Sequence, residues 1–212
     1  MNMYLKKPME IEYKSMDIIE AELGDHGLTP MELKVVERTI HTTGDFDYKN
    51  IVSIKSGAIE EGIKAIKGGC RIVTDTTMGL SGINKRALEK LNCTVECFIG
   101  HEEIFKNAKL KGITRSMASM DYAASEEVDI FVIGNAPTAL YRIGELINEN
   151  KVAPKLIIGV PVGFVGAAES KEYIRGFDVP SITTIGTKGG SNVAASIVNA
   201  LIYMANDGNR DE

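Results

Sequence analysis

The sequence predicts an α/β fold: a three-layer α/β/α domain with a five-stranded parallel sheet and N-terminal helices packed on it. Three observations lead there. From Cys70 onward, five short β-rich runs alternate with turns and helix-like segments. Runs such as LIIGV and IFVIG are apolar on both faces, as strands buried between two helical layers must be. The first seventy residues look helical. Strands alternating with helices imply parallel pairing through right-handed crossovers.

The elements follow in order. Ser15–Leu23 places Met16, Ile18, Ile19 and Leu23 at helical spacing. Thr29-Pro30-Met31-Glu32 starts the next helix: Thr29 caps, Pro30 fits the first helical position, and Glu32 closes a capping box. That helix runs to about Thr43 and stops at Gly44. Ser56–Lys67 is amphipathic and ends at Gly68-Gly69. The five strands are Arg71–Asp75, Thr94–Ile99, Asp129–Ile133, Lys155–Val160 and Ser181–Ile185. Helices fall near Ile83–Leu91, Glu102–Lys111, Arg115–Ser125, Pro137–Asn150, Val165–Ile174 and Ser191–Asn206. No linker or repeat divides the chain. It reads as one domain over 1–212, helical over 1–69 and alternating over 70–206, with a polar tail.

Composition narrows the function classes. The 212 residues are 44% apolar and 25% charged, as in globular proteins. Net charge is −5, from 24 basic and 29 acidic residues, which speaks against a nucleic-acid binder. The longest apolar stretch, Leu156–Ala168, is broken by Gly159, Pro161, Gly163 and Gly166. It is shorter than the roughly 20 residues a membrane span needs. The N-terminus lacks the apolar core of a signal peptide, and the three cysteines include no C-x-x-C pair. The expectation is a cytoplasmic protein with reduced thiols. Cys93, Cys97 and His101 are spaced like ligands on a helix, but the run between them reads as strand and a fourth zinc ligand is missing. No metal site is expected.

The informative residues sit where strands end, the edge at which open α/β sheets bind ligands. Asp75–Gly82, Gly134–Thr138, Pro161–Ser170 and Gly186–Asn192 are rich in Gly, Thr, Ser and Asn opening helices. Such junctions present backbone N–H groups and positive helix ends, which suit anions. Any single one also fits the ordinary needs of a turn and a cap; four on one edge predict a binding rim. No G-x-G-x-x-G follows a strand, and no Walker-type phosphate loop or nucleophile elbow is present. Among the histidines, His26 lies in a loop and His101 opens a helix. His41 falls in the last helical turn before Gly44, where carbonyl ends favour a charged imidazole. Glu37, one turn earlier, would add to this and Arg38 would oppose it. An imidazole held as an acid is a good proton donor; the spacing alone favours an ordinary helix-end histidine.

Four segments together resemble the precorrin-8X methylmutase family of cobalamin biosynthesis, cobalt-precorrin-8 members included. They are Glu37-Arg-Thr-Ile-His41 with Gly44, Thr114-Arg-Ser116, Ile133-Gly-Asn-Ala-Pro-Thr-Ala-Leu140, and Gly159-Val-Pro-Val-Gly-Phe-Val-Gly-Ala-Ala-Glu-Ser-Lys171. The resemblance implies a homodimer with a flavodoxin-like sheet and no organic cofactor. It implies an isomerase that moves a methyl group from C-11 to C-12 of a corrin-type macrocycle, giving hydrogenobyrinate or cobyrinate. The family histidine falls on His41, which would donate a proton or hydrogen bond to a ring nitrogen. The alternative class is a non-catalytic tetrapyrrole-binding or delivery protein.

A flat ring bearing acetates and propionates needs anion sites spread along a rim. Arg115 and Lys188 are the leading cations, with Lys14 and Lys85 behind them as residues that equally read as surface charges. Hydroxyl and amide candidates are Thr76, Thr77, Ser81, Ser116, Thr138, Ser191 and Asn135, with backbone supplied by Gly163, Gly189 and Gly190. The family pattern commonly places arginine where this chain has Thr187 and Lys85.

Overall fold

A computed structural model describes residues 6–206. Helix α1 spans Pro8–Leu23 and α2 spans Pro30–Thr43. The α2 start is the predicted capping box: the Thr29 hydroxyl accepts from the Glu32 N–H, and the Glu32 carboxylate accepts from the Thr29 N–H. At its end Gly44 adopts φ 65°, and its N–H bonds the Ile40 carbonyl. A single turn, α3 (Tyr48–Ile51), leads to strand β1 (Val52–Ile54), and α4 (Ala58–Lys67) follows.

The alternating part runs β2 (Arg71–Thr74), α5 (Thr77–Gly82), α6 (Lys85–Lys90) and β3 (Thr94–Glu96). It continues with α7 (Glu102–Lys111), α8 (Arg115–Ala123), β4 (Ile130–Ile133), α9 (Pro137–Asn148) and β5 (Leu156–Gly159). It closes with α10 (Ala167–Arg175), β6 (Ser181–Thr184) and α11 (Ser191–Ala205).

The strand order is β1-β6-β5-β4-β2-β3. The five strands from β2 onward pair in parallel, and their order is that of flavodoxin-like sheets. Alternate residues feed opposite cores. Ile130, Val132, Leu156 and Ile158 pack in a core shared with α1, α2, α4 and α11, whereas Phe131, Ile133 and Ile157 pack under α7 to α10. These are the two helical layers that the doubly apolar strands require.

The sheet has six strands where the sequence predicts five. Strand β1 adds antiparallel to β6, with Val52 opposite Thr184 and Ile54 opposite Ile182. Three residues carry too little alternation to stand out, and their hydrogen-bonding partner lies about 130 residues downstream. The stretch after β2, read as a glycine-rich junction, closes into α5 because the Thr76 hydroxyl caps the Gly79 N–H. Helix α1 starts earlier than the expected Ser15.

Candidate active site at the carboxyl edge of the sheet

The crossover β2 to β3 packs on one face and the crossover β3 to β4 on the other. They diverge between β2 and β4 and leave a crevice at the strand ends. A cleft of about 410 Å³ opens there. Thr76 and Thr77 line it from the end of β2, Arg115 and Ser116 from the start of α8, and Asn135 from the end of β4. Asp75, Ile99 and Thr114 complete the lining.

Local chemistry sets these groups. Thr114 caps α8 through the Met117 N–H, and its hydroxyl lies 3.0 Å from that of Thr138 on α9. Arg115 is therefore the first residue of α8, at the positive end of the helix. Its guanidinium stacks over the Phe105 ring at 4.5 Å and remains exposed to the cleft. The Thr76 hydroxyl lies 2.7 Å from that of Ser191, so the opening turns of α5 and α11 are joined across the edge.

Asp75, which the sequence places beside the rim without a role, organises it. Its buried carboxylate accepts the backbone N–H groups of Gly134, Asn135 and Ala136 at 2.9, 2.9 and 2.8 Å. Burial pushes this carboxyl upward, and the three N–H bonds pull the other way. The clip fixes the turn that carries Asn135. An acid among small hydroxyl and amide residues gives no signal by residue type, because its partners are backbone groups of another strand end.

His41 lies exposed in the last turn of α2. The turn after it reaches the sheet edge, where Lys188 Nζ lies 2.5 Å from Asp45 and 2.7 Å from Asp47. Lys188 is thus paired with two carboxylates. The two carboxylates raise it above the ordinary lysine range, and it lowers Asp45 in return. Arg38, expected to oppose a charged His41, is engaged elsewhere: it pairs with Glu12 at 3.0 Å and stacks on Tyr203. Glu37, expected to favour it, is buried near Glu20, Lys34 and His26, and burial raises its carboxyl.

The glycine junctions hold neighbouring loops against each other. The Gly190 N–H donates to the Val160 carbonyl at 2.9 Å, and the Gly163 N–H donates to that of Thr187 at 3.1 Å. At Gly189 an added Cβ would fall 2.1 Å from the Val160 oxygen. These contacts pack the β5–α10 and β6–α11 loops together. Lys171 holds the same loop from inside. It is fully buried, and its Nζ donates to Thr184 Oγ1 at 3.0 Å and to the Lys188 carbonyl at 2.9 Å.

Ser81 and Lys85 are exposed on α5 and α6, and Lys14 is exposed on α1; none of the three lines the cleft. Cys93 lies against Cys70, Sγ to Sγ 3.5 Å, while His101 immediately precedes α7, makes no side-chain cap bond and packs edge-on against Phe98. The spacing of Cys93, Cys97 and His101 therefore does not fall on one helix. Among the described residues, no group of three His, Cys, Asp or Glu has a geometry to hold a metal ion. None of the described helices is long and apolar enough to cross a membrane.

A flavodoxin-ordered sheet whose switch-point cleft combines an arginine, hydroxyls, an amide and a helix N-terminus is the framework of an α/β enzyme acting on an anionic small molecule. Comparison with known proteins is specific. The family model for precorrin-8X methylmutase matches residues 10–204, and the chain belongs to that family. It is 47% identical to the cobalt-precorrin-8 methylmutase of Leptospira interrogans, over 92% of this chain and 93% of that one. It is 45% identical to that of Salmonella typhimurium, over 94% and 97%. The crystal structure of precorrin-8x methyl mutase from Thermus thermophilus superposes with a TM-score of 0.86 at 38% identity, covering 93% of this chain and 98% of that one.

Proposed function

We propose that this chain is an isomerase of cobalamin biosynthesis, moving a methyl group from C-11 to C-12 of precorrin-8 or its cobalt form. His41 donates a proton or hydrogen bond to a ring nitrogen. That draws electron density through the conjugated system, so the C-11 bond to methyl breaks as the C-12 bond forms, a 1,5-sigmatropic shift without redox change. The observation that supports this role is the Lys188–Asp45 ion pair, which holds the turn just past His41 at the carboxyl edge. A proton donor anchored beside the ligand edge suits general-acid work.

The substrate carboxylates meet Arg115 and the N-terminus of α8, with Thr77, Ser116 and Asn135 as further donors. Phe164 and Val165, 94% and 90% exposed in the β5–α10 loop, offer apolar surface to the flat ring or to a second copy of the chain. The proposal includes a homodimer, which the family resemblance implies, placed in the cytoplasm in keeping with the reduced cysteines; sedimentation as a monomer at working concentration would overturn the dimer.

The test is incubation with precorrin-8x or cobalt-precorrin-8, followed by visible spectroscopy. Wild type converts the substrate, and His41→Ala lowers kcat by about a hundredfold or more. Undiminished turnover by His41→Ala would sink the mechanism. Tight corrinoid binding without turnover by wild type would assign the chain to delivery instead.

A further inference from the structure

A second cleft, of about 150 Å³, lies at the opposite edge of the sheet, where β6 begins. Ser53, Lys55, Arg175 and Ser181 line it. Pairing geometry puts these groups on one face. Ser53 stands opposite Thr183, and Ser181 precedes Thr183 by two residues, so all three side chains point to the same side. Arg175, in the last turn of α10, covers that side and donates to Thr183 Oγ1 at 3.2 Å. Lys55 comes from the end of β1, with its N–H bonded to the Ser181 carbonyl and its Nζ donating to the Phe177 carbonyl.

Two features point to a ligand. Ser181 is 1% exposed, and its Oγ has no hydrogen-bond partner among the described residues, an unfavourable state for a buried hydroxyl. The cleft also concentrates positive charge. Lys55 and Arg175 line it, and the buried ammonium of Lys171 lies one helical turn before Arg175. The acid near Lys55 is Asp178, fully exposed and 3.9 Å from its Nζ. Burial lowers the Lys171 ammonium, and the nearby charge of Arg175 adds to that.

We propose that this cleft binds one small tetrahedral oxyanion, phosphate or sulfate, held by Arg175, Lys55, Ser53 and Ser181. Four oxygens match two cations and two hydroxyls converging from α10, β1 and β6. The site stands apart from the cleft of Arg115 and does not depend on the isomerase reading.

Calorimetric titration of the full chain with inorganic phosphate and with sulfate, in chloride buffer at constant ionic strength, tests it. One saturable site is expected. Arg175→Gln weakens it about tenfold or more and Ser181→Ala about fivefold. Arg115→Gln leaves it unchanged. If Arg175→Gln does not fold, Lys55→Gln replaces it with the same expected loss. Absence of saturable binding overturns the proposal. So does binding that Arg115→Gln abolishes while Arg175→Gln or Lys55→Gln and Ser181→Ala spare it, because the anion then sits on the substrate rim.

Discussion

Lys188 Nζ lies 2.5 Å from the carboxylate of Asp45, so the β6–α11 loop is tied to the turn just beyond His41. The pair is solvent-exposed, and its value lies in placement more than in stability. Lys188→Ala is expected to reduce kcat about tenfold or more with a smaller change in KM, because a small shift of the proposed proton donor, His41, is costly. Steady-state kinetics read this directly. An unchanged kcat would show that the helix end is held by other contacts.

Arg115 makes the complementary prediction. Its guanidinium faces the cleft from the start of α8, with Phe105 beneath it. Arg115→Ala should raise KM by roughly ten- to a hundredfold through loss of a charge-assisted contact, and Arg115→Lys should restore part of it. A fall in kcat at constant KM would place Arg115 in the chemical step.

Asp75→Asn tests the clip on the β4–α9 turn. The amide keeps one acceptor oxygen but turns an NH2 toward backbone donors that now lack partners. A destabilisation of about 2–3 kcal/mol is expected in urea unfolding. Substrate affinity should fall too, because Asn135 stands on the clipped turn.

Lys171 carries the pH dependence. Burial, with Arg175 nearby, lowers its ammonium to about 8, against roughly 10.4 for an exposed lysine. Below about pH 8 both folded and unfolded chains hold this proton, and the folded chain carries the full cost of a buried charge. Between about pH 8 and 10.4 the unfolded chain binds more protons, so this group makes stability rise with pH. Lys171→Met removes that rise. Unfolding curves near pH 7.5 and 9.5 should show wild type gaining on the variant, and parallel trends would contradict the depressed ammonium.

How much was legible in the sequence follows from how local each signal is. The capping box at Thr29, the Gly44 stop and the doubly apolar strands read directly, because their partners lie within a few residues or their pattern fills an element. Strand β1 did not, since three residues gain meaning only against β6. The rim hydroxyls read as ligand donors, yet Thr76 also binds Ser191 and Thr138 also binds Thr114. Short polar side chains look alike whether they face a ligand or a neighbouring helix.

By itself the sequence determined the α/β class, the alternation of strands and helices and the family, through periodicity, caps and long matched segments. Tertiary structure alone decided how charges and backbone groups were shared. It committed Lys188 to Asp45 and Asp47, directed the Asp75 carboxylate to three N–H groups, and buried Lys171 beneath the loop. Periodicity and capping act within a few residues. Partners across the sheet edge are set only when segments some 60 to 140 residues apart fold to within hydrogen-bond reach.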